Sequence, residues 1–228
     1  MQVNSPSPLH NNSTEKTNQI PVDSSAIVKK PRLICENIFA FPPNRETLGG
    51  TAYLILSPEG NILIDSPLWP ENNLEFCQQQ GGVKYLFLTH RGGISKQINK
   101  IQQNLDCQLL IQEQEAYLLP NLQITTFSDQ FQLNRDCQVF WTPGHSPGSS
   151  CLYYALLGGV LFTGRHLLPN QQGECIPWRM KKTFHWRRQL NSQKKISDRL
   201  FFKSLNYICP GANTGYLKGQ GVFKVENW

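Results

Sequence analysis

The chain has 228 residues, 39% of them hydrophobic, and a formal net charge of +6. It is therefore long enough for one sizeable domain with a real core. No apolar run is long enough to cross a bilayer, and none of the seven cysteines forms a Cys-x-x-Cys pair, which argues against a membrane-spanning chain and against a disulfide framework. We expect a soluble cytoplasmic protein with reduced cysteines.

The first half of the chain predicts a tail followed by an α/β domain. Residues 1–32 are rich in Ser, Asn, Thr, Gln and Pro, so we expect a disordered tail, with a domain over 33–228. The predicted strands are 51–56, 61–65, 85–89 and 108–112, and the predicted helices are 71–80 and 94–105. Turn residues at 57–60 join the first two strands as a hairpin. Strands alternating with helices indicate a layered α/β domain.

The second half adds strands and three further polar strand ends. The predicted strands are 124–127, 131–133, 137–141, 151–156, 159–162 and 207–209. Polar segments follow four apolar strands, and they contain His90, then His145, then Arg165 with His166, and finally 210–213. We expect these four strand ends to converge on one site at the edge of a sheet sandwich.

The order of five motifs resembles that of the metallo-β-lactamase superfamily, which includes glyoxalase II. The motifs are Ile64-Asp65-Ser66-Pro67, Leu88-Thr89-His90, Thr142-Pro143-Gly144-His145-Ser146-Pro147-Gly148-Ser149, Leu161-Phe162-Thr163-Gly164 and Cys209-Pro210-Gly211. The resemblance covers residues 33–228. It implies an αββα sandwich, an α/β fold in which two mixed β-sheets lie face to face with helices outside and a site along one edge.

The resemblance also implies a metal site that this chain has largely lost. The superfamily holds two metals with a Thr-His-x-His-x-Asp-His loop, a later histidine, a bridging aspartate and a last histidine. Carried over by motif, His90 and His145 match the first and the later histidine, and both serve the same metal position. The remaining ligand positions hold Gly92, Ile94, Ser95, Arg165 and Ala212.

These substitutions predict that no metal cofactor is bound. A catalytic zinc site generally uses three protein ligands plus water, and only two histidines remain. Arg165 places a permanent cation where the bridging anion would be. A guanidinium about 4 Å from a dication would be repelled by roughly 8 kcal/mol at an effective dielectric near 20. If Arg165 instead turned outward, His166 or Asp65 could join His90 and His145 around a single zinc or iron.

Two functional hypotheses follow from the altered site. The leading one is a non-catalytic binding protein, a pseudoenzyme whose cleft of Asp65, His90, His145, Arg165 and His166 takes a carboxylate or phosphate. The alternative is a hydrolase of small thioesters, phosphoesters or lactones that uses one metal or none. A purely structural role is also open, with the histidines as hydrogen-bonded residues at the sandwich edge and Asp65 as the cap of the next turn.

A basic segment at 178–204 supplies the third hypothesis. Between 179 and 203 it carries nine basic residues and one acidic residue, a net charge of +8. Because the whole chain has a net charge of +6, the rest of the chain has a net charge of −2. The basic residues are Arg179, Lys181, Lys182, Arg187, Arg188, Lys194, Lys195, Arg199 and Lys203. Apolar residues from Trp186 onward predict a helix lying on the domain. We expect this segment to bind an acidic protein surface, and nonspecific nucleic-acid binding is the alternative function. If the segment has no binding function, it is simply a solvated helix face.

Overall fold

Two mixed β-sheets lie face to face in the computed structural model, which describes residues 1–2, 29–201 and 203–226. The first sheet has seven strands in chain order: β1 (Arg32–Cys35), β2 (Ile38–Ala40), β3 (Tyr53–Ile55), β4 (Ile62–Ile64), β5 (Tyr85–Leu88), β6 (Gln108–Gln112) and β7 (Ile124–Phe127). Strands β1 to β4 are antiparallel, and the predicted β3–β4 hairpin is confirmed. Strands β4 to β7 are parallel.

The second sheet has six strands in the order β15-β14-β11-β10-β9-β8. They are β8 (Gln130–Gln132), β9 (Cys137–Trp141), β10 (Ser150–Tyr154), β11 (Val160–Gly164), β14 (Tyr207–Pro210) and β15 (Phe223–Lys224). Among the described strands of this sheet, only β11 and β14 pair in parallel. A separate hairpin, β12 (Leu167–Pro169) with β13 (Cys175–Pro177), leads from the end of β11 into the basic segment.

In the described part of the chain, three α-helices cover the outer faces of the two sheets. They are α1 (Glu71–Gln79), α2 (Ile98–Leu105) and α3 (Trp186–Leu200). Buried residues of α1 and α2 pack on the outer face of the first sheet, and Ile196 and Leu200 of α3 pack on that of the second. The result is the predicted αββα sandwich. No helix in the described part of the chain is long and apolar enough to cross a membrane.

Strand alternation explains how each sheet fills two cores. In β4, Ile62 and Ile64 point to the core between the sheets, while Leu63 points to the helices. In β10, Leu152 and Tyr154 face that same inner core, and Cys151 and Tyr153 face α3. Successive strand side chains point to opposite faces, so runs that are apolar throughout are those covered on both faces.

Several boundaries differ from the predicted ones. Helix α2 begins at Ile98 rather than Ile94, because 91–93 form a 3-10 turn and Ile94 is extended. The basic segment is helical only over α3, since 178–185 run along the domain without regular structure. Short strands β12, β13 and β15 were not predicted. Most of the predicted tail, 3–28, lies outside the described residues, and β1 begins at Arg32.

Candidate functional site

The polar ends of the strands meet at one edge of the sandwich. The Gly211 N–H donates to the carbonyl of Gly164 at 2.6 Å, and the Ser150 N–H donates to that of Thr89 at 2.8 Å. A Cβ on Gly164 would lie 2.4 Å from Thr89 Oγ1, and one on Gly211 would lie 2.8 Å from Gly164 Cα. Gly164 also has a positive φ of 52°. Glycine is therefore needed where β5, β11 and β14 end together.

A cleft of about 470 Å³ opens at this edge. Its lining includes two imidazoles, four cationic side chains and two large apolar ones: His90, His145, Arg91, Arg165, Lys181, Lys182, Leu48 and Met180. No aspartate or glutamate is among the lining residues of the described chain. The cleft is therefore positive, with walls formed largely by apolar atoms and the stems of the cations.

His90 is oriented by a hydrogen-bonded chain that begins at Asp65. The Thr89 N–H and hydroxyl donate to the two carboxylate oxygens of Asp65 at 2.8 and 2.7 Å, and the same hydroxyl lies 2.8 Å from His90 Nδ1. Because the hydroxyl hydrogen is directed to Asp65, Nδ1 of the neutral ring donates and Nε2 is left as an acceptor. Nε2 is buried and has no partner among the described residues.

Burial sets the protonation of this chain. It lowers the pKa of His90 well below its ordinary value, with His145 and Arg165 contributing in the same direction. It raises the pKa of Asp65 to about 6, although the hydrogen bonds from Thr89 and the charge of Arg165 act against it. At neutral pH His90 is therefore neutral and Asp65 is largely ionised.

His145 faces His90 across the cleft. The ring centroids are 5.1 Å apart and the rings meet edge to face at 71°. Burial, together with the charges of Arg165 and Arg91, lowers the pKa of His145 to about 4. Its Nδ1 is buried without a hydrogen-bond partner in the described part of the chain. Two neutral imidazoles with unpaired nitrogens thus stand side by side.

Arg165 is buried in the wall of the same cleft, with 5% of its surface exposed. Its Nη2 donates to the carbonyls of Thr47 and Leu48 at 2.8 and 2.9 Å, and its Nη1 lies 3.9 Å from Met180 Sδ. Its Nε–H is buried and has no acceptor in the described residues. The guanidinium is therefore fixed by the loop at 47–48 while it keeps donors to spare.

The other two predicted cleft residues lie behind the lining. Asp65 does not cap its own turn, because Thr89 takes both carboxylate oxygens. His166 is 1% exposed, and burial lowers its pKa to about 3. Neither of its ring nitrogens has a partner among the described residues, and its carbonyl accepts from Gln189 Nε2 at 3.0 Å. The structure thus brings His90, His145 and Arg165 together in the cleft and leaves Asp65 and His166 outside it.

Sequence reasoning missed several cleft residues. Leu48 lies in a loop without any motif, and Met180 lies in the irregular stretch before α3, so neither carries a signal. Arg91 was within the His90 motif, but its partner was not evident: its Nε lies 3.0 Å from Glu115 Oε1, and that carboxylate also accepts from the Gly148 N–H at 3.3 Å. The buried Glu115 thus ties the Arg91 turn to the loop that carries His145.

The residues at the ligand positions do not fit a metal. A Cβ on Gly92 would lie 2.8 Å from His90 Nε2, so the His90 ring fills the space that a second ligand side chain would need. The buried guanidinium of Arg165 lines the same cleft in place of a carboxylate. Within the described ranges, no group of three or more His, Cys, Asp and Glu side chains could hold a metal ion. Two imidazoles beside a cation are a poor donor set.

Three cations of the basic segment contact other parts of the domain. Lys195 Nζ lies 2.6 Å from Asp129 Oδ1, Arg199 bonds the same carboxylate, and Lys203 Nζ lies 4.8 Å from the centre of the Tyr153 ring. The hydrogen bond from Lys195 and the charge of Arg199 lower the pKa of Asp129, while burial acts against them. Lys195 is therefore not part of a free basic surface as predicted, because it attaches α3 to the body of the domain.

The segment before α3 is attached to the loop that carries His145. The Phe184 and His185 N–H groups donate to the carbonyls of His145 and Gly144 at 3.0 and 2.9 Å. Inside α3, Ser192 Oγ donates to the carbonyl of Pro143 at 2.7 Å. The basic segment thus forms one wall of the cleft.

Comparison with known proteins gives matches of structure alone. No family model matches the chain, and no curated protein matches it. The DIM-1 metallo-β-lactamase is similar at a TM-score of 0.62 and 14% identity, over 84% of this chain and 94% of that one. A quorum-quenching N-acyl homoserine lactone lactonase is similar at a TM-score of 0.58 and 17% identity, over 77% of this chain and 91% of that one. A third similar structure is ST1585 from Sulfolobus tokodaii, an archaeal metallo-β-lactamase superfamily protein. Its TM-score is 0.54 and its identity 14%, over 78% of this chain and 80% of that one.

At these identities the similarity concerns the arrangement of the backbone and not the chemistry of the site. The alignments cover most of each compared chain, so they include both sheets rather than a shared fragment. This chain therefore has the metallo-β-lactamase fold.

Proposed function

We propose that this chain binds a small carboxylate or phosphate anion in the cleft, without a metal. One observation carries the proposal: Arg165 is buried in the cleft wall with an Nε–H that has no acceptor, beside two imidazoles. A buried charged donor without a partner is costly, and an anion would satisfy it. The absence of acidic side chains from the described lining supports the same ligand class.

The surroundings of Arg165 favour an anion further. A hydrogen bond to a charged group contributes about 1.5–3 kcal/mol, and more where water is excluded. Leu48 and Met180 line the cleft with the guanidinium, and only 5% of the surface of Arg165 is exposed to water. The negative charge of Asp65 acts against an incoming anion, but its carboxylate lies outside the lining and is already taken by Thr89.

Titration of the protein with inorganic phosphate and with acetate tests the proposal. We expect saturable heat or chemical-shift changes at the His90 and His145 rings in the presence of a metal chelator. Replacing Arg165 by Gln should weaken binding by about tenfold or more, because it removes a charge-assisted hydrogen bond. Arg165→Gln also loosens the loop at 47–48, so Lys181→Gln with Lys182→Gln serves as a second variant whose side chains are exposed.

Two results would argue against an anion cleft. In the first, the folded Arg165→Gln variant and the double lysine variant both bind phosphate and acetate as tightly as the wild-type protein does. The other is a stoichiometric zinc, iron or manganese in the purified protein that disappears on His145→Ala, since a metal and an inward Arg165 exclude each other.

Hydrolysis of a small thioester, phosphoester or lactone is the second candidate function. The observation that favours it is the chain from Asp65 through Thr89 to His90, which leaves Nε2 as an unpaired base facing the cleft. An imidazole held in this way suits general-base activation of water. Turnover of any of the three substrate classes, lost in His90→Gln while phosphate binding is retained, would support it. No turnover with or without added zinc would leave binding as the function.

A further inference from the structure

Six cations of the basic segment make no ion pair or hydrogen bond through their side chains in the described chain. We call them the basic surface: Arg179, Lys181, Lys182, Arg187, Arg188 and Lys194. Two of them, Lys181 and Lys182, also line the cleft that contains Arg165. The basic surface and the cleft are therefore continuous. The backbone hydrogen bonds from Phe184 and His185 to the loop that carries His145 hold the basic surface next to the cleft.

Exposed apolar side chains interleave with these cations. Phe184 is 56% exposed, Leu190 is 43% exposed, and Leu48 at the mouth of the cleft is 60% exposed. On α3, the residues Arg187, Leu190 and Lys194 follow one another at spacings of three and four, which puts them on one face. The surface thus offers cations and apolar contacts in alternation rather than charge alone.

We propose that the cleft and the basic surface together bind one acidic segment of a partner protein, with a carboxylate of that segment in the cleft beside Arg165. The proposal rests on the proposed anion cleft and adds the class of its ligand. An extended peptide with acidic and apolar side chains matches both components of the surface. The unpaired cations supply charge complementarity, which speeds association and selects partners by sign.

The shape of the surface favours a peptide over two other anionic partners. A membrane is flat, so it could contact the cations of α3 but could not place a group beside the buried Arg165. A duplex nucleic acid presents its phosphates outward and keeps its bases stacked inside, so it would leave Phe184 and Leu190 without apolar contact. A peptide side chain is small enough to enter a cleft of about 470 Å³ while its neighbours cover the surface outside.

Fluorescence anisotropy with a labelled peptide of repeated Glu-Glu-Leu units tests the proposal on the full chain. We expect saturable binding that weakens as salt rises and that inorganic phosphate competes away. Arg187→Glu with Arg188→Glu should weaken binding by about tenfold or more, since both charges are reversed at exposed positions. The matched control is Lys100→Glu with Lys224→Glu, which changes the net charge equally on α2 and β15, away from the cleft; it should stay within about twofold.

The outcomes separate this proposal from the anion cleft. If phosphate binds but the peptide does not, or if the Arg187 and Arg188 variant binds the peptide as the wild type does, the peptide surface is wrong and the cleft stands. If the peptide binds without competition from phosphate, the two sites are not joined and the proposal fails. Tighter binding of single-stranded DNA, or of vesicles containing phosphatidylglycerol, than of the peptide would also overturn it.

Discussion

Arg165 shows how one residue sets both the structure and the charge of the cleft. Its Nη2 holds two carbonyls of the loop at 47–48, and Leu48 adopts a left-handed φ of 55° at that point. The same guanidinium lowers the pKa of His145, after the larger effect of burial. Arg165 therefore also contributes, after burial, to keeping His90 and His145 neutral, so that the positive charge of the cleft comes from its arginines and lysines.

His166 gives a prediction at the residue scale. Its ring is buried with neither nitrogen paired among the described residues, so replacement by Leu should stabilise the protein by about 1–3 kcal/mol at pH 7. Its pKa falls from 6.5 to about 3 on folding. The unfolded chain then binds more protons between these values, and stability falls as the pH drops through that window.

The free energy of unfolding of His166→Leu should therefore exceed that of the wild type by a larger amount at lower pH. Between pH 6.5 and 5 the difference should widen by about 2 kcal/mol, at about 1.4 kcal/mol per pH unit. His90 and His145 contribute in the same direction and Asp65, with its raised pKa, in the opposite one, but all three are common to both proteins. Urea denaturation at the two pH values measures this. Loss of stability in His166→Leu at both would show that the ring nitrogens are paired in the native protein.

At this scale the sequence predicted part of the site. His90, His145 and Arg165 follow apolar strands, and they do meet in the cleft, because strand ends can be located from the apolar runs that precede them. Asp65 and His166 lie one and two residues beyond such ends, yet neither lines the cleft. Which way a side chain turns at a strand end depends on φ, as at Asp65 with its φ of 58°, and on neighbours distant in sequence.

Helix α3 determines the shape of the cleft at the level of elements. Its apolar residues pack on the second sheet, and Gln189 lies against Gly144 in the loop that carries His145. The apolar spacing predicted the helix, and of its apolar residues Ile196 and Leu200 do pack on the domain, whereas Leu190 is exposed. The spacing could not predict that Lys195 and Arg199 would pair with Asp129, because that aspartate is more than sixty residues earlier in the chain.

Gly144 provides a test of this contact. Its φ is 151°, and a Cβ there would lie 2.3 Å from Gln189 Cα, so Gly144→Ala should push α3 away from the loop. We expect a loss of at least about 2 kcal/mol beyond the cost of the backbone conformation, from overpacking against a helix backbone. Weaker phosphate binding should accompany it, since His145 is the next residue.

Gly173→Ala is the matched control for Gly144→Ala. Gly173 also has a positive φ, of 84°, but no atom lies within 4 Å of its Cβ position. It therefore carries the backbone cost without the clash. Urea denaturation of the two variants should separate these effects, and equal losses of stability would mean that α3 is not held against the loop.

The whole molecule is organised by the core between the two sheets. Apolar strand runs and turn residues were enough to predict strands alternating with helices, because these signals are local. The two mixed sheets with helices outside were predicted from the resemblance in motif order. The short strands β12, β13 and β15 escaped prediction because two or three residues carry no recognisable period. The shape of the cleft escaped as well, since it is formed by segments that are brought together only when both sheets have packed.

Phe162 tests whether packing between the sheets holds the molecule together. It lies on β11 with 1% of its surface exposed, and its ring meets that of Tyr53 on β3 edge to face, with centroids 5.4 Å apart. Phe162→Ala should therefore lower the free energy of unfolding by about 3–5 kcal/mol, from lost burial and the cavity left behind. Phe184→Ala, the same change at an exposed position, should alter it by no more than about 0.5 kcal/mol. Because Phe162 precedes Thr163 and Gly164 at the cleft edge, the folded fraction of Phe162→Ala should also bind phosphate less well. A loss as small as that of Phe184→Ala would mean that the sheets do not depend on this contact.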